Sequence, residues 1–508
     1  MKPWPKAPLI YEINTWPWLA EFSRRTGGPV TLATVPDTEW DRLAELGFDV
    51  IWLMGVWERS RAGVAIANRN PALRVELHEA LPDYEPGDNV GSAYCIRRYR
   101  VDRHLGGPKG LAVARAALAR RGVRLILDFV PNHVAPDHRW VKECPEFLIQ
   151  GEAVDRRREP GAFLRRQGRV FARGRDPFFP AWSDVLQLNA FHPGLRVAAR
   201  EALEEVAGQC DGVRCDMVML VLNEVFEQTW GKRAGKRPAG EYWEALIPAV
   251  RARHREFRFI AEAYWDRERE LLGLGFDYCY DKRLYDHLLR LEAAELREHL
   301  EAGVACQERL VRFIENHDEP RALSAFGPVH ARAAAIAVLT LPGARLLHEG
   351  QLEGRRRRLP VCLGRRPMEV VDADWSDFHA RVLVEMRAEV FRAGEWRLCE
   401  AVGWPDNASH RNLVAWSWTH GEDRCLIVVN LSADRTQARV RLPWRDLEGW
   451  NWRLGEVLSA GIYERIGDEL SSGGLHVELA GFGYHWFLVE RLNDRDRSLR
   501  GPRSKPGA

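Results

Sequence analysis

The feature that most restricts the fold of this chain is a repeating beat of short apolar runs and longer amphipathic stretches over its first 390 or so residues. Asp49-Val50-Ile51-Trp52-Leu53-Met54 reads as a strand, preceded by a helix over 37–46. A helix over 110–121 leads into the strand Val123-Arg124-Leu125-Ile126-Leu127-Asp128-Phe129. Further strands are expected at 212–217, 257–263, 276–280, 310–315 and 344–348, with helices near 195–207, 242–253, 284–300 and 331–340. Runs this short and this apolar suit strands buried on both faces, and strands separated by helices pair in parallel. About eight such units predict an α/β chain built on a (β/α)8 TIM barrel.

Two stretches interrupt the beat, 55–108 and 131–193, both too long for simple connections and so expected to be functional loops or small subdomains. After residue 394 the period changes to two. Leu413-Val414-Ala415-Trp416-Ser417-Trp418, 424–429 and 437–442 alternate between turn signals, which predicts a C-terminal antiparallel β-sandwich. Trp416 and Trp418 share one strand face, assigned to the core. The expected division is barrel over 1–132 and 193–393, an insertion over 133–192, the sandwich over 394–492 and a disordered tail over 493–508.

Composition excludes several classes of function. The 74 basic residues against 72 acidic give a net charge of +2, without the basic excess of a nucleic-acid binder. The nine cysteines are odd in number and lack paired spacing, so neither a disulfide framework nor a zinc site is expected. Leu9-Ile10-Tyr11 follows the N-terminus without a secretory signal core, and no apolar run approaches about 18 residues, so no membrane partner is expected. A cytoplasmic protein fits these features. The twenty tryptophans suit a large core or flat sugar rings.

Acids recur where barrel strands end: Leu127-Asp128-Phe129-Val130-Pro131-Asn132-His133, Gly212-Val213-Arg214-Cys215-Asp216, Phe259-Ile260-Ala261-Glu262 and Phe313-Ile314-Glu315-Asn316-His317-Asp318. In a (β/α)8 barrel these ends share one mouth. Arg214 and Asp216 are two apart, hence on one side of a strand, and the guanidinium would keep Asp216 ionised. Glu262 follows an apolar run and precedes Tyr264 and Trp265, surroundings that would raise its pKa by desolvation. One ionised and one protonated carboxyl are what a retaining glycosidase requires.

Taken in order, these segments resemble the four short regions of the α-amylase superfamily, glycoside hydrolase family 13. The resemblance runs over roughly residues 9 to 490 and implies a small domain B inserted after strand 3, which Leu186-Gln187-Leu188-Asn189 near its end also resembles. It implies Asp216 as nucleophile, Glu262 as general acid/base and Asp318 as the residue that binds sugar hydroxyls and stabilises the transition state. It further implies that Arg214 orients Asp216, that His133 and His317 hydrogen-bond the sugar, and that Asp128 buttresses the site. Gly91-Ser92-Ala93-Tyr94 resembles the segment whose tyrosine, here Tyr94, stacks under the sugar, although Arg98 stands where many members carry Asp.

The sequence also departs from the family. Met219 and Leu220 occupy positions where many starch-cleaving members carry Lys-His, which puts ordinary endo-acting starch hydrolysis in doubt. Asn132 matches a calcium-ligating position in some relatives, but one oxygen does not make a calcium site, so structural calcium is not favoured and no cofactor is expected. Arg355-Arg356-Arg357-Arg358, with Arg365 and Arg366, reads either as a phosphosugar-binding set of guanidinium forks or as a solvated loop. The expected substrate is an α-glucan or small α-glucoside, hydrolysed at α-1,4 links. The alternatives are a transglycosylase or glucoside isomerase on the same chemistry, or a non-catalytic amylase-like binding protein. Oligomeric state has no signal here.

Overall fold

The computed structural model describes residues 3–492, so the tail read as disordered lies outside the described residues. Two compact units divide the described residues: one takes 3–282 with 309–324 and 344–376, the other 283–308, 325–343 and 377–492.

The first unit contains a closed barrel of eight parallel strands, β1 (Leu9–Asn14), β2 (Val50–Met54), β3 (Arg124–Phe129), β4 (Gly212–Cys215), β5 (Arg258–Ala261), β6 (Tyr278–Tyr280), β7 (Leu310–Arg312) and β8 (Ala344–His348). Each pairs with its sequence neighbours and β8 closes on β1 through Leu9↔Arg345 to Glu12↔His348. Every residue of β1, β2, β3 and β8 is buried, as expected of strands flanked on both faces.

Three strands end earlier than their apolar runs predict, the one expected over 257–263 at Ala261 and two others where side chains take over the backbone donors. The expected 310–315 strand stops at Arg312. Beyond it, Asn316 Oδ1 accepts from the amides of Asp318 and Glu319, both at 2.9 Å, and turns the chain. The expected 212–217 strand stops at Cys215, after which Met217 takes a left-handed φ of 43° and donates its amide to Glu262 Oε2 at 2.6 Å. In both places the chain leaves the ladder to build the barrel mouth.

The two long interruptions are structured. Within the first, Trp57–Arg59 pairs with Ile96–Val101 around the helices Arg61–Ala67 and Pro71–Ala80. Within the second, His133–Val134 pairs with Leu186–Gln187, and Gln150–Gly151, Arg169–Ala172 and Phe163–Arg166 form a three-stranded sheet. Val134, Trp140, Leu148, Phe171 and Leu186 are among its own buried cluster.

The second unit carries the C-terminal antiparallel strands β9 (Glu395–Cys399), β10 (Ala401–Val402), β11 (Leu413–His420), β12 (Asp423–Asn430), β13 (Thr436–Val440), β14 (Asn451–Glu456), β15 (Ile462–Ile466), β16 (Leu475–Leu479) and β17 (Tyr484–Leu492). They form a six-stranded sheet in the order β9-β11-β12-β17-β14-β15 and a three-stranded sheet β10-β13-β16. Trp416 and Trp418 are both buried, and Trp418 Nε1 donates to the Thr340 carbonyl at 2.6 Å. The helix expected over 284–300 is two helices, Lys282–Arg290 and Ala293–Leu300, because Leu291 sits at φ 62°. That left-handed conformation breaks the i to i−4 ladder.

Candidate active site

Arg214 organises the mouth of the barrel. It lies on β4 beside Asp128 on β3 and Ile260 on β5, and is 1% exposed. Its Nη1 donates to Asp216 Oδ1 at 2.8 Å, and its Nη2 lies 2.7 Å from Glu262 Oε2. One guanidinium therefore spans both carboxyl groups and fixes how far apart they sit. Asp128 Oδ1 is farther off, at 3.9 Å from Nη1. The cation faces three rings, with its Cζ 5.0 Å from the Tyr94 centroid, 5.4 Å from Trp52 and 5.8 Å from Tyr280. Aromatic faces stabilise a desolvated cation without adding charge.

The carboxyl groups differ in environment. Glu262 is buried, and that desolvation pushes it up to about 7, assisted by the charges of Asp216 and Asp318 against the pull of Arg214. Its Oε1 accepts from the Tyr264 hydroxyl at 2.9 Å. Burial likewise raises Asp128 to about 6 against Arg214, while Gly55 N donates to its Oδ2 at 3.0 Å and Trp57 Nε1 to its carbonyl at 2.8 Å. Asp318 has its side chain 44% exposed at the mouth. Partial desolvation opposes its ionisation, yet His317 outweighs this, with help from Arg214 and Arg358, and holds it down to about 2. Carboxyl groups so close together with titrations driven apart can divide acid and base roles between them.

The histidines frame these acids. His317 Nε2 lies 3.0 Å from Asp318 Oδ2 and 2.6 Å from the Tyr94 hydroxyl, and its ring meets Trp52 edge-on at 5.5 Å. His133 is buried against Trp182, 5.2 Å between ring centroids, and burial lowers its pKa although the Asp216 charge opposes that. All eight residues singled out from the sequence, Asp128, Asp216, Glu262, Asp318, Arg214, His133, His317 and Tyr94, thus surround one mouth. Sequence reading missed Trp52, Tyr280 and Glu12, and gave Tyr264 only as part of the surroundings of Glu262; for Glu12 the available signal was an acid inside the apolar run of β1.

The departures from the family also have structures. Val218, Met219 and Leu220 are all buried, so the pair in place of Lys-His packs inward. Asn132 Oδ1 accepts from Gln187 Nε2 at 2.8 Å, and the same amide donates to the carbonyls of Asn132 and Leu188, both at 3.0 Å. Asn132 thereby braces the start of the insertion, and among the described residues no cluster of His, Cys, Asp or Glu is arranged to hold a metal. Most of the arginine set pairs with acids: Arg355 with Glu21 at 3.0 Å, Arg358 with Glu76 at 2.5 Å, Arg356 with Asp372 at 3.7 Å, and Arg366 with Glu349, whereas Arg357 Nη1 donates to the Glu79 carbonyl at 3.1 Å. Arg365 bridges Asp83 and Asp88. These forks tie loops to one another, so most of the guanidinium groups already have carboxylate partners.

At the rim, Trp265 and Phe178 meet edge-to-face at 5.0 Å. Asp176 Oδ1 accepts from the amides of Phe178 and Phe179, and holds those two rings 65% and 68% exposed. Trp265 itself sits at φ 62°, three residues after Glu262.

A closed parallel barrel with acids at its strand ends, an insertion after the third strand and a C-terminal antiparallel sandwich is the architecture of the α-amylases. The chain is 24% identical over 454 residues to the α-amylase MalA of Haloarcula japonica, a match that takes in 85% of this chain and 56% of MalA. It thus spans little more than half the length of that curated relative. Its structure is similar to the maltogenic α-amylase AmyB of Thermotoga neapolitana, with a TM-score of 0.67, 19% identity and coverage of 96% of this chain and 99% of AmyB. It is also similar to the α-amylase of Geobacillus thermoleovorans solved with acarbose, with a TM-score of 0.64, 17% identity and coverage of 96% and 99%. No protein-family model matches the chain. The sequence and structural similarities support the α-amylase superfamily, with no subfamily singled out, and the fold is that of an α-amylase.

Proposed function

We propose that the protein is a retaining glycoside hydrolase that acts on α-1,4-linked glucose oligosaccharides. The observation that carries this reading is the Arg214 fork, which holds Asp216 beside a Glu262 that burial keeps protonated to about pH 7. Glu262 donates its proton to the glycosidic oxygen while an Asp216 oxygen attacks the anomeric carbon, giving a β-glucosyl ester. The C–O bond to the leaving sugar breaks as the ester bond forms. Glu262, now ionised, takes a proton from water, and the water oxygen displaces Asp216 to release an α-configured product. Asp318, ionised throughout this pH range, receives sugar hydroxyls and offsets the developing positive charge. Tyr94 stacks under the sugar, with His133 and His317 on its hydroxyls and Asp128 behind Arg214.

A transglycosylase or glucoside isomerase on the same chemistry is the second reading. The half-buried Trp265 with the exposed Phe178 against it favours it, since flat apolar rings at the rim retain a sugar acceptor against water. Product analysis by NMR on maltose, maltotriose, longer maltodextrins, sucrose and trehalose separates the two. Shorter α-anomeric products from the wild type, absent with Asp216→Asn, support the hydrolase; longer or rearranged glucosides support the transferase. Glucan binding with no product from any sugar would leave a non-catalytic binding protein.

A further inference from the structure

Glu12 belongs to none of the recognised motifs, yet it forms part of the floor of the site. It lies on β1 opposite Trp52 of β2 and His348 of β8, and is fully buried. Its Oε1 sits 2.5 Å from His317 Nδ1, and its Oε2 is buried with no hydrogen-bond partner. On the far side of the ring, Nε2 reaches Asp318 Oδ2 and the Tyr94 hydroxyl. A fully buried carboxylate with one oxygen unmet is costly, and a positive charge on the ring it touches offsets that cost best.

We propose that Glu12 is a positioning residue: its buried carboxylate keeps His317 doubly protonated, so that Nε2–H stays a fixed donor shared by Asp318 and the Tyr94 oxygen. The other groups that face this pair are Tyr280 from β6, His348 from β8, Asp128 from β3, and Arg214 from β4 beyond the Trp52 and Tyr94 rings. Burial alone drives the His317 ring towards neutrality; Asp318 and Glu12, one on each nitrogen, reverse this and raise its pKa well above the usual histidine value. His348 does not compete for the proton, since burial and Arg321 lower its own pKa. The chain Glu12–His317–Asp318 therefore carries charge from the barrel interior to the sugar-binding carboxylate. Only its kinetic consequence rests on the proposed glycosidase reading; the proton state of His317 does not.

The test uses protein labelled with ¹⁵N-histidine and long-range ¹H–¹⁵N spectra from pH 5 to 9, with His317→Gln to assign the ring. His317 of the wild type is expected to remain doubly protonated well above the usual histidine titration, and in Glu12→Gln to lose that proton at lower pH. Each pH unit by which that titration falls lowers the protonated fraction about tenfold above it. The kcat/KM of Glu12→Gln on maltotriose should accordingly fall about tenfold more at pH 7.5 than at pH 5.5. A neutral His317 in the wild type at pH 7, or a ring titration unmoved by Glu12→Gln, would overturn the proposal. If Glu12→Gln does not fold, Glu12→Asp, which draws the carboxylate back from Nδ1, supplies the second titration, and a ring titration it leaves unmoved likewise overturns the proposal. A protonated ring in a protein that turns over no sugar would sink the glycosidase reading and leave this one standing.

Discussion

Replacing Glu262 by glutamine separates what burial does to this carboxyl from what the carboxyl does in a reaction. In the folded chain Glu262 holds its proton up to about pH 7, against 4.5 for an exposed glutamate, and desolvation is the largest cause. A raised folded-state pKa makes this group's contribution to stability full below the unfolded value and lost as pH rises through the folded one. At roughly 1.36 kcal/mol per pH unit, the displacement corresponds to an upper bound of about 3 kcal/mol. Glutamine keeps the shape: its oxygen can accept from Met217 N, as Oε2 does now, and lie beside Arg214 Nη2, and its amide can donate to the Tyr264 oxygen. It gives up the attraction of Arg214 for the ionised form, so the expected gain over wild type at pH 8.5 is about 1–3 kcal/mol. At pH 4 both proteins carry a neutral group there and should melt together. Thermal unfolding followed by circular dichroism at the two pH values reads this directly. An equal difference between variant and wild type at both pH values would refute the reasoning.

Arg214→Met removes the one cation that spans Asp216 and Glu262, and should cost about 3–5 kcal/mol in denaturant unfolding at pH 7, because it strands buried carboxylates. A loss below about 1 kcal/mol would mean that those acids are neutral or solvated. Gln187→Ala should destabilise by about 1–3 kcal/mol, since its amide hydrogens are shared among three buried oxygens, and a chelator should leave the wild-type Tm unchanged because Asn132 Oδ1 is already engaged. A Tm that drops by several degrees on chelation would contradict this. Leu291→Gly relieves a left-handed residue between two helices and is expected to stabilise by about 0.5–1 kcal/mol in the same denaturant assay.

Much of the barrel was legible because its strands are short apolar runs whose burial leaves little other use for them, as with Val50–Met54. The acids of the site were legible because they end those runs. What the sequence concealed depends on distant residues. The strand at 212 looks longer than it is, since nothing local shows that Glu262, 45 positions on, will capture the Met217 amide; at 310 the signal was local, Asn316 turning back onto the Asp318 amide, and the apolar run masked it. The arginine run offered phosphate binding or solvation as readings, but its partners Glu21 and Glu76 lie 334 and 282 positions away along the chain. Glu12 escaped notice for the same reason: the side chain it meets, His317, is 305 positions further on. Local pattern thus identified the elements and the reactive side chains, whereas the pairings that set their charge states arise from barrel closure.

The central claim is that Asp216 is the nucleophile of a double displacement, and a covalent trap tests it most directly. A fluorinated α-glucosyl fluoride, which forms the ester readily and loses it slowly, would be incubated with the wild-type protein, digested with protease and mapped by tandem mass spectrometry. One fluoroglucosyl group on Asp216, absent from Asp216→Asn, is the predicted result. A label on Glu262 or Asp318, or turnover of sugar with inversion and no label, would contradict the account.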